Sequence, residues 1–544
     1  MARPTFARVT TQKAALAYHK DPLTLYQHIT HDAVHTMLLE SAEIDSKDHL
    51  KSIIMTHAAM MIRCDGYQLT FDALTANGQV LLPAIATFFK NAHLTRIDNC
   101  LTVTLTKETQ LQDEDARLKS SSPLDGLRMF VQQIVCNNSV AGTPAFEDLF
   151  LGGVLAYDLI DTVEPLPAVP NSDNDCPDYL FYLAETLILV DHKQQHADVI
   201  THAFSVDDAD TNQAAIASEL ATRTQTLQHH CQQLIEHQQL AQPAALVAID
   251  ATETVNISDD DFKRTVIELK EHIVAGDIFQ VVPSRSFSLP CPNTLGAYRA
   301  LRLTNPSPYM FYFQGPDFTL FGASPESALK YDAHTNQVEV YPIAGTRKRG
   351  KHQDGSIDFD LDSRIELELR LDKKELSEHL MLVDLARNDI ARISQSGSRK
   401  VAELLKVDRY SHVMHLVSRV TGQLRNDLDA LHAYQACMNM GTLVGAPKVR
   451  ASQLVRQAEK SRRGSYGGAV GYINGLGDMD TCIVIRSAFV KHGTAFIQAG
   501  AGVVFDSDPQ AEADETRQKA QAVISAIKMG AGVESAHSQQ GAKA

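Results

Sequence analysis

Lys374–Asp389 reads KELSEHLMLVDLARND, and Ala511–Ala520 reads AEADETRQKA. In each stretch two glutamates stand three residues apart, Glu375 and Glu378 in the first, Glu512 and Glu515 in the second. Both stretches are expected to be helical, and an i,i+3 spacing puts the two carboxylates of a pair on one helix face. If the helices converge, four carboxylates surround one small volume. Such a cluster stays ionised only with a cation, and all-oxygen ligation points to magnesium rather than zinc. The alternative is two solvated helix faces with i,i+4 partners, such as Glu515 with Lys519.

Around these pairs the second half is dense in signal. IFQVVPSRSFSL, YMFYFQGPDFTLFGASPE and VEVYPIAGTR read as strands, and a long helix is expected from about Arg364 to Ala391. A helical GTLVGAPKVRASQLVRQ stretch leads into a glycine-punctuated meander, SYGGAVGYI, TCIVIRSAFV and AFIQAGAGVVF, before the closing helix over residues 511–527. Residues 528–544 read as a disordered tail. Upstream, Ser258 followed by Asp261 resembles a capping box and starts a helix with the apolar stripe Phe262, Val266, Leu269 and Ile273. The sparse AQPAALVAIDATETVNISDDD before it reads as a linker, so the main domain boundary falls near residue 250. Residues 1–250 form a first region with helix LTLYQHI, buried strand YLFYLAETLILVDH and a Gln- and Ala-rich helix; residues 251–527 form the second.

The chain has 544 residues, 44% of them hydrophobic, and a net charge of −16 without a long basic tract. That argues against nucleic acid and anionic membranes as partners. The eight cysteines are scattered without a CxxC and read as reduced thiols. The opening MARPTFARVTTQKA lacks an apolar signal core, and no uncharged run is long enough to span a bilayer. The expectation is a cytoplasmic protein.

Several residues invite a chemical reading beside a structural one. Arg486 lies in the apolar TCIVIRSAFV, expected as one strand, on the face of Cys482, Val484 and Ala488. It is either a structural ion pair or a clamp for a carboxylate. Gly500, Ala501 and Gly502 permit close backbone approach, so that main-chain N–H groups could hold a second carboxylate. A dinucleotide fingerprint fails there, because Phe505 replaces its third glycine. Tyr466 before Gly467–Gly468 is similarly poised or simply a strand entry. His415 is a proton-transfer candidate or a core histidine. Glu326, after a proline at a strand end, suits a general acid or a turn.

PIAGTR, DLARND, MGTLVGAPK, RRGSYGGAVGY, DTCIVIRSA, QAGAGVV and EADET occur in this order. Together they resemble the chorismate-utilising enzymes, and over roughly residues 15–527, with LLES near the start, the chain is similar to the large subunits of anthranilate synthases. Lys348 and Val444 depart from the family's usual Pro and Ser. The resemblance implies an α+β fold with antiparallel-rich sheets packed between helices. It implies magnesium on Glu378 and Glu515 with Glu375 and Glu512 assisting, and chorismate on Gly345, Thr346, Tyr466, Arg486 and Gly500–Gly502. Glu326 would be the general acid, His415 the group that moves a proton in the elimination, and Thr442 part of the pocket lining. Relatives that add water carry a lysine base where this chain has Gln280, and aminodeoxychorismate synthases a nucleophilic lysine where it has Ala344. Those two positions point to ammonia as nucleophile and to anthranilate and pyruvate as products. An aminodeoxychorismate synthase and a non-catalytic tryptophan or chorismate sensor are the competing readings. Glu40 and Ser41 in LLES, with Pro308, Tyr309 and Met310, match the family's L-tryptophan feedback site. No cysteine lies in a G-x-C-x-G elbow, so glutamine-derived ammonia implies a separate amidotransferase subunit, commonly in a heterotetramer.

Overall fold

The structure is a computed structural model that describes residues 7–31, 33–41, 51–107, 113–137, 145–206, 213–237, 246–410 and 413–532. Its strands pair almost throughout in antiparallel fashion, and one hydrogen-bonded network runs through both halves of the chain. One wing passes from Ser284–Pro290 through Thr494–Gly500, Ser487–Lys491, Thr319–Ser324 and Tyr309–Gln314 to Thr36–Glu40 and Lys51–Asp65. The other passes from Tyr179–Asp191 through Phe150–Leu155, Ala469–Asn474, Met479–Ile483, Ser327–Asp332 and Gln337–Val340 to Val413–Gln423. Lys51–Asp65 pairs with Tyr179–Asp191 and joins the wings. Among the described residues, strand pairing therefore crosses the boundary expected near residue 250 at two places, Thr36–Glu40 on Tyr309–Gln314 and Phe150–Leu155 on Ala469–Asn474.

Two connections step from wing to wing beside each other. Thr319–Ser324 continues into Ser327–Asp332 through Pro325 and Glu326, and Met479–Ile483 continues into Ser487–Lys491 through Val484–Arg486. The corners are stitched together, Ala323 N–H to Arg486 O at 3.1 Å and Ile483 N–H to Glu326 O at 3.0 Å. TCIVIRSAFV is thus two strands with different neighbours, and Arg486 takes a left-handed φ of 50° at the change. This corrects the single-strand expectation: apolar alternation does not reveal where a strand changes partners.

Apolar burial fixes the wings. Tyr182 stacks on Phe313 at 5.2 Å and Phe318 on Phe489 at 4.7 Å, so aromatic rings from both halves share one interior. The closing helix runs Pro509–Gly530, longer than expected, with Asp508 capping Ala511 N–H at 2.9 Å. It lies tightly on Thr294–Thr304: a Cβ at Gly296 would stand 2.1 Å from Gly530 O, so only glycine permits this crossing. The remainder of the expected tail, from 533, lies outside the described residues. The long helix expected over residues 364–391 is two, Phe359–Leu371 and Lys373–Ile393. Asp372 divides them, its carboxylate accepting from Lys374 N–H at 3.0 Å and Glu375 N–H at 3.2 Å. Among the described residues no helix is long and apolar enough to cross a membrane.

Candidate active site

The two glutamate pairs converge. Lys373–Ile393 carries Glu375 and Glu378, and Pro509–Gly530 carries Glu512 and Glu515. The second helix is anchored by fully buried Arg285, which donates to Thr516 Oγ1 at 2.9 Å and Ala513 O at 2.8 Å. Glu375 accepts from Arg347 Nη1 at 2.8 Å, and Glu515 meets Lys519 Nζ at 2.6 Å, so the i,i+4 partner anticipated for Glu515 is present. Glu378 Oε1 and Glu512 Oε2 are buried without a hydrogen-bond partner. Burial first, then the charges of Glu375, Glu512 and Glu515, push the Glu378 carboxyl up to about 7. Glu512 is raised by burial foremost and by the charge of Glu515, against the pull of Ser507, Lys374 and Lys519. Among the described residues no three His, Cys, Asp or Glu side chains already stand as a ligand set. Two orphaned carboxylate oxygens in a mutually repelling group nevertheless fit a hard divalent cation.

At the paired corners stand Glu326 and Arg486. Glu326 is buried and accepts from Thr442 Oγ1 at 3.1 Å. Burial pushes it up to about 8, against the pull of Thr442, Lys519 and Arg486, so it holds its proton at neutral pH. Arg486 has no carboxylate within ion-pair distance among the described residues. Burial weakens its hold on the proton, while Tyr466, Glu515 and Glu326 strengthen it. His415, in Val413–Gln423, lies across from Thr346 in the ladder, its Nδ1 3.0 Å from Thr346 Oγ1. Burial and the Arg486 charge push its imidazole down to about 4, leaving it neutral.

Backbone completes the enclosure. Gly345, at φ 73°, sits where the Ile343–Lys348 ladder slips register, and a Cβ there would meet Glu375 Oε2 at 3.1 Å. A Cβ at Gly500 would meet the Tyr466 hydroxyl at 3.1 Å, and one at Gly502 would meet Gln280 Nε2 at 2.7 Å. Tyr466 is buried and its phenol is raised to about 12, which keeps it a donor. Ala501 N–H is committed to Pro283 O at 3.1 Å, which removes one of the amides expected to hold a carboxylate. Gln280 pairs with Ala446, and its Oε1 is buried without a partner.

The residues from LLES and PYM also meet. Glu40 lies opposite Met310 in the ladder, accepting from Tyr298 OH at 2.8 Å and pairing with Arg302 at 3.0 Å. Ser41 Oγ is buried without a partner, and Pro308 is buried beside Tyr309. Tyr309 turns the other way, donating to Asp480 at 3.0 Å. This group is separate from the carboxylates, yet Tyr309 pairs directly with Ser324, two residues before Glu326. Sequence reading passed over Arg285 and Arg347; the only signal for either was a cation inside a strand.

The sequence model of the chorismate binding enzyme family matches residues 86–525. The chain is 58% identical over 513 residues to anthranilate synthase component 1 of Vibrio cholerae, covering 94% of this chain and 95% of that protein. It is 52% identical over 529 residues to the Escherichia coli protein of the same name, covering 96% and 97%. The solved structure of anthranilate synthase component I from Streptococcus pneumoniae is similar at a TM-score of 0.62 and 28% identity, covering 89% of this chain and 94% of that one. The chain belongs to the anthranilate synthase component 1 family.

Proposed function

We propose that the chain converts chorismate and ammonia to anthranilate, pyruvate and water. The observation that carries this reading is Arg486, a guanidinium without a carboxylate partner among the described residues, lying within the fields of Glu326, Glu515, Tyr466 and His415. A partly buried cation of that kind calls for an anionic ligand. Arg486 and Tyr466 would hold one carboxylate of the substrate, with the Gly345–Thr346 and Gly500–Gly502 backbone closing around the ring. Glu378 and Glu515, assisted by Glu375 and Glu512, would hold magnesium, which when bound supplies charge neutralisation and a template for a second carboxylate.

Ammonia adds at ring carbon 2 as the ring hydroxyl leaves, and Glu326, protonated at neutral pH, gives that oxygen the proton with which it departs as water. Neutral His415 then takes the proton from carbon 2. The enolpyruvyl carbon–oxygen bond breaks, its methylene carbon gains a proton, and pyruvate leaves an aromatic ring. Gln280 and Ala344 leave no side chain there to activate water or attack the ring. The ammonia would come from glutamine through a separate amidotransferase subunit, in a heterotetramer, and L-tryptophan would inhibit through Glu40, Ser41 and Pro308–Met310. None of the eight cysteines forms a disulfide, which fits a cytoplasmic setting.

The test combines the purified chain with chorismate, magnesium and an ammonium salt at alkaline pH and follows anthranilate fluorescence. Product is expected with ammonium and not with glutamine alone. Isochorismate or an aminated chorismate as end product, or tryptophan binding without turnover, would overturn the reading.

A further inference from the structure

RRGSYGG does more than deliver Tyr466. Arg462 and Gly464 turn toward the first half, where Asp158 and Asp178 accept from them, and Ser465 bonds Asn174 there. Arg463 turns inward beneath the site, where it is only 1% exposed. Its guanidinium forks onto Glu459, Nε to Oε2 at 2.9 Å and Nη2 to Oε1 at 2.6 Å. The outward donors meet two main-chain carbonyls, Nη1 to Leu443 O and Nη2 to Val282 O, both at 2.7 Å. The same cation lies 4.6 Å from the centre of the Tyr157 ring and 5.5 Å from that of Tyr466. Glu459 in turn accepts from Ser284 N and Ser284 Oγ, both at 2.7 Å, and Ser284 pairs with Gly500.

Each contact except the Tyr157 ring lies within two residues, or one ladder pairing, of a residue named above at the site. Leu443 follows Thr442, the donor to Glu326; Val282 is two residues beyond Gln280; Ser284 faces Gly500; Tyr466 lies against the cation. We infer that Arg463, oriented by Glu459, is the positioning residue that sets these four segments relative to one another. A planar fork can satisfy a carboxylate and two carbonyls at once, whereas a lysine ammonium brings three donors on a mobile stem and no fixed plane. Fully buried, the pair would be costly were it not completely bonded; what it secures is the relative placement on which orientation in the site depends.

This rests on the anthranilate reading, so the experiment measures that first: ammonium-dependent anthranilate formation by the unaltered full-length chain, with chorismate varied. No product there overturns reading and inference together. Given product, Arg463→Lys is expected to keep its far-UV circular dichroism and to raise the chorismate KM by about tenfold, as loss of a charged hydrogen bond to the scaffold would. Ser284→Ala, which removes one contact and no charge, is expected to raise KM in the same direction by less, and serves if Arg463→Lys does not fold. A residue that only supported the fold would reduce the active fraction, lowering kcat at unchanged KM. Unchanged KM in folded Arg463→Lys, or in Ser284→Ala where that is the variant available, overturns the inference while the function stands.

Discussion

Glu326 shows how one side chain trades stability for chemistry. Burial raises its carboxyl from an ordinary 4.5 to about 8, so between those values the folded chain keeps a proton that the unfolded chain has released. Stability therefore falls as pH rises across that window, and the group's cost is fully present above about 8. Glu326→Gln keeps the size and removes the ionisation, so its melting temperature at pH 8–9 is expected to exceed that of the unaltered chain. Its turnover should fall by about 10²–10⁴, the usual worth of a positioned acid. At a fixed concentration of free ammonia, the unaltered chain's rate should hold from near neutrality and decline above about pH 8 as the acid ionises. Equal melting at pH 9, or a rate still rising through pH 9 at fixed free ammonia, would remove Glu326 from the acid's role.

At the scale of elements, the glutamate helices carry two predictions. Magnesium is expected to raise the melting temperature of the unaltered chain and not that of Glu378→Gln, because a bound ion stabilises only the state that holds it. Full turnover in a chelator would dispose of the magnesium assignment. Asp372→Ala removes the cap of Lys373–Ile393 and a partner of Arg347, and should cost about 1 kcal/mol in denaturant unfolding, with a weaker magnesium response because Glu375 follows the cap directly. An unchanged midpoint would mean the break at Asp372 does not govern the helix. That break was illegible in sequence, since LDKKELSEHL suits an unbroken helix and Asp competes with the backbone only when a neighbouring chain lets it turn. The glutamate spacing was legible because it is local, a matter of 3.6 residues per turn. The left-handed Arg486 and the committed Ala501 N–H were not, because both depend on which strand lies alongside. The meeting of Glu40 with Met310 was available from resemblance alone: nothing in LLES specifies a partner so distant in the chain.

Across the whole molecule, those same distant pairings make the tryptophan proposal physical. The strand Thr36–Glu40 lies on Tyr309–Gln314, which lies on Thr319–Ser324, whose end leads to Glu326. Ser324 Oγ is 3.3 Å from Glu326 N–H and Tyr309 lies opposite Ser324 in the ladder, so a ligand that displaced Tyr309–Met310 would move the corner carrying the acid. Inhibition requires L-tryptophan to bind one arrangement of this strand stack better than the arrangement that binds chorismate. Coupling of that kind is reciprocal, so chorismate should weaken tryptophan binding by the factor by which tryptophan weakens chorismate binding. Ser41 lies at the far end of the route, its hydroxyl buried without a partner, where a larger side chain occupies ligand space and leaves the catalytic groups untouched. Ser41→Phe is therefore expected to relieve tryptophan inhibition by about tenfold or more, the worth of one lost pocket contact, with ammonia-dependent activity largely kept. Titrating tryptophan calorimetrically with and without chorismate, on both chains, tests affinity and reciprocity together. Lost catalysis with unchanged tryptophan affinity in Ser41→Phe would place this strand in the active site and end its regulatory assignment.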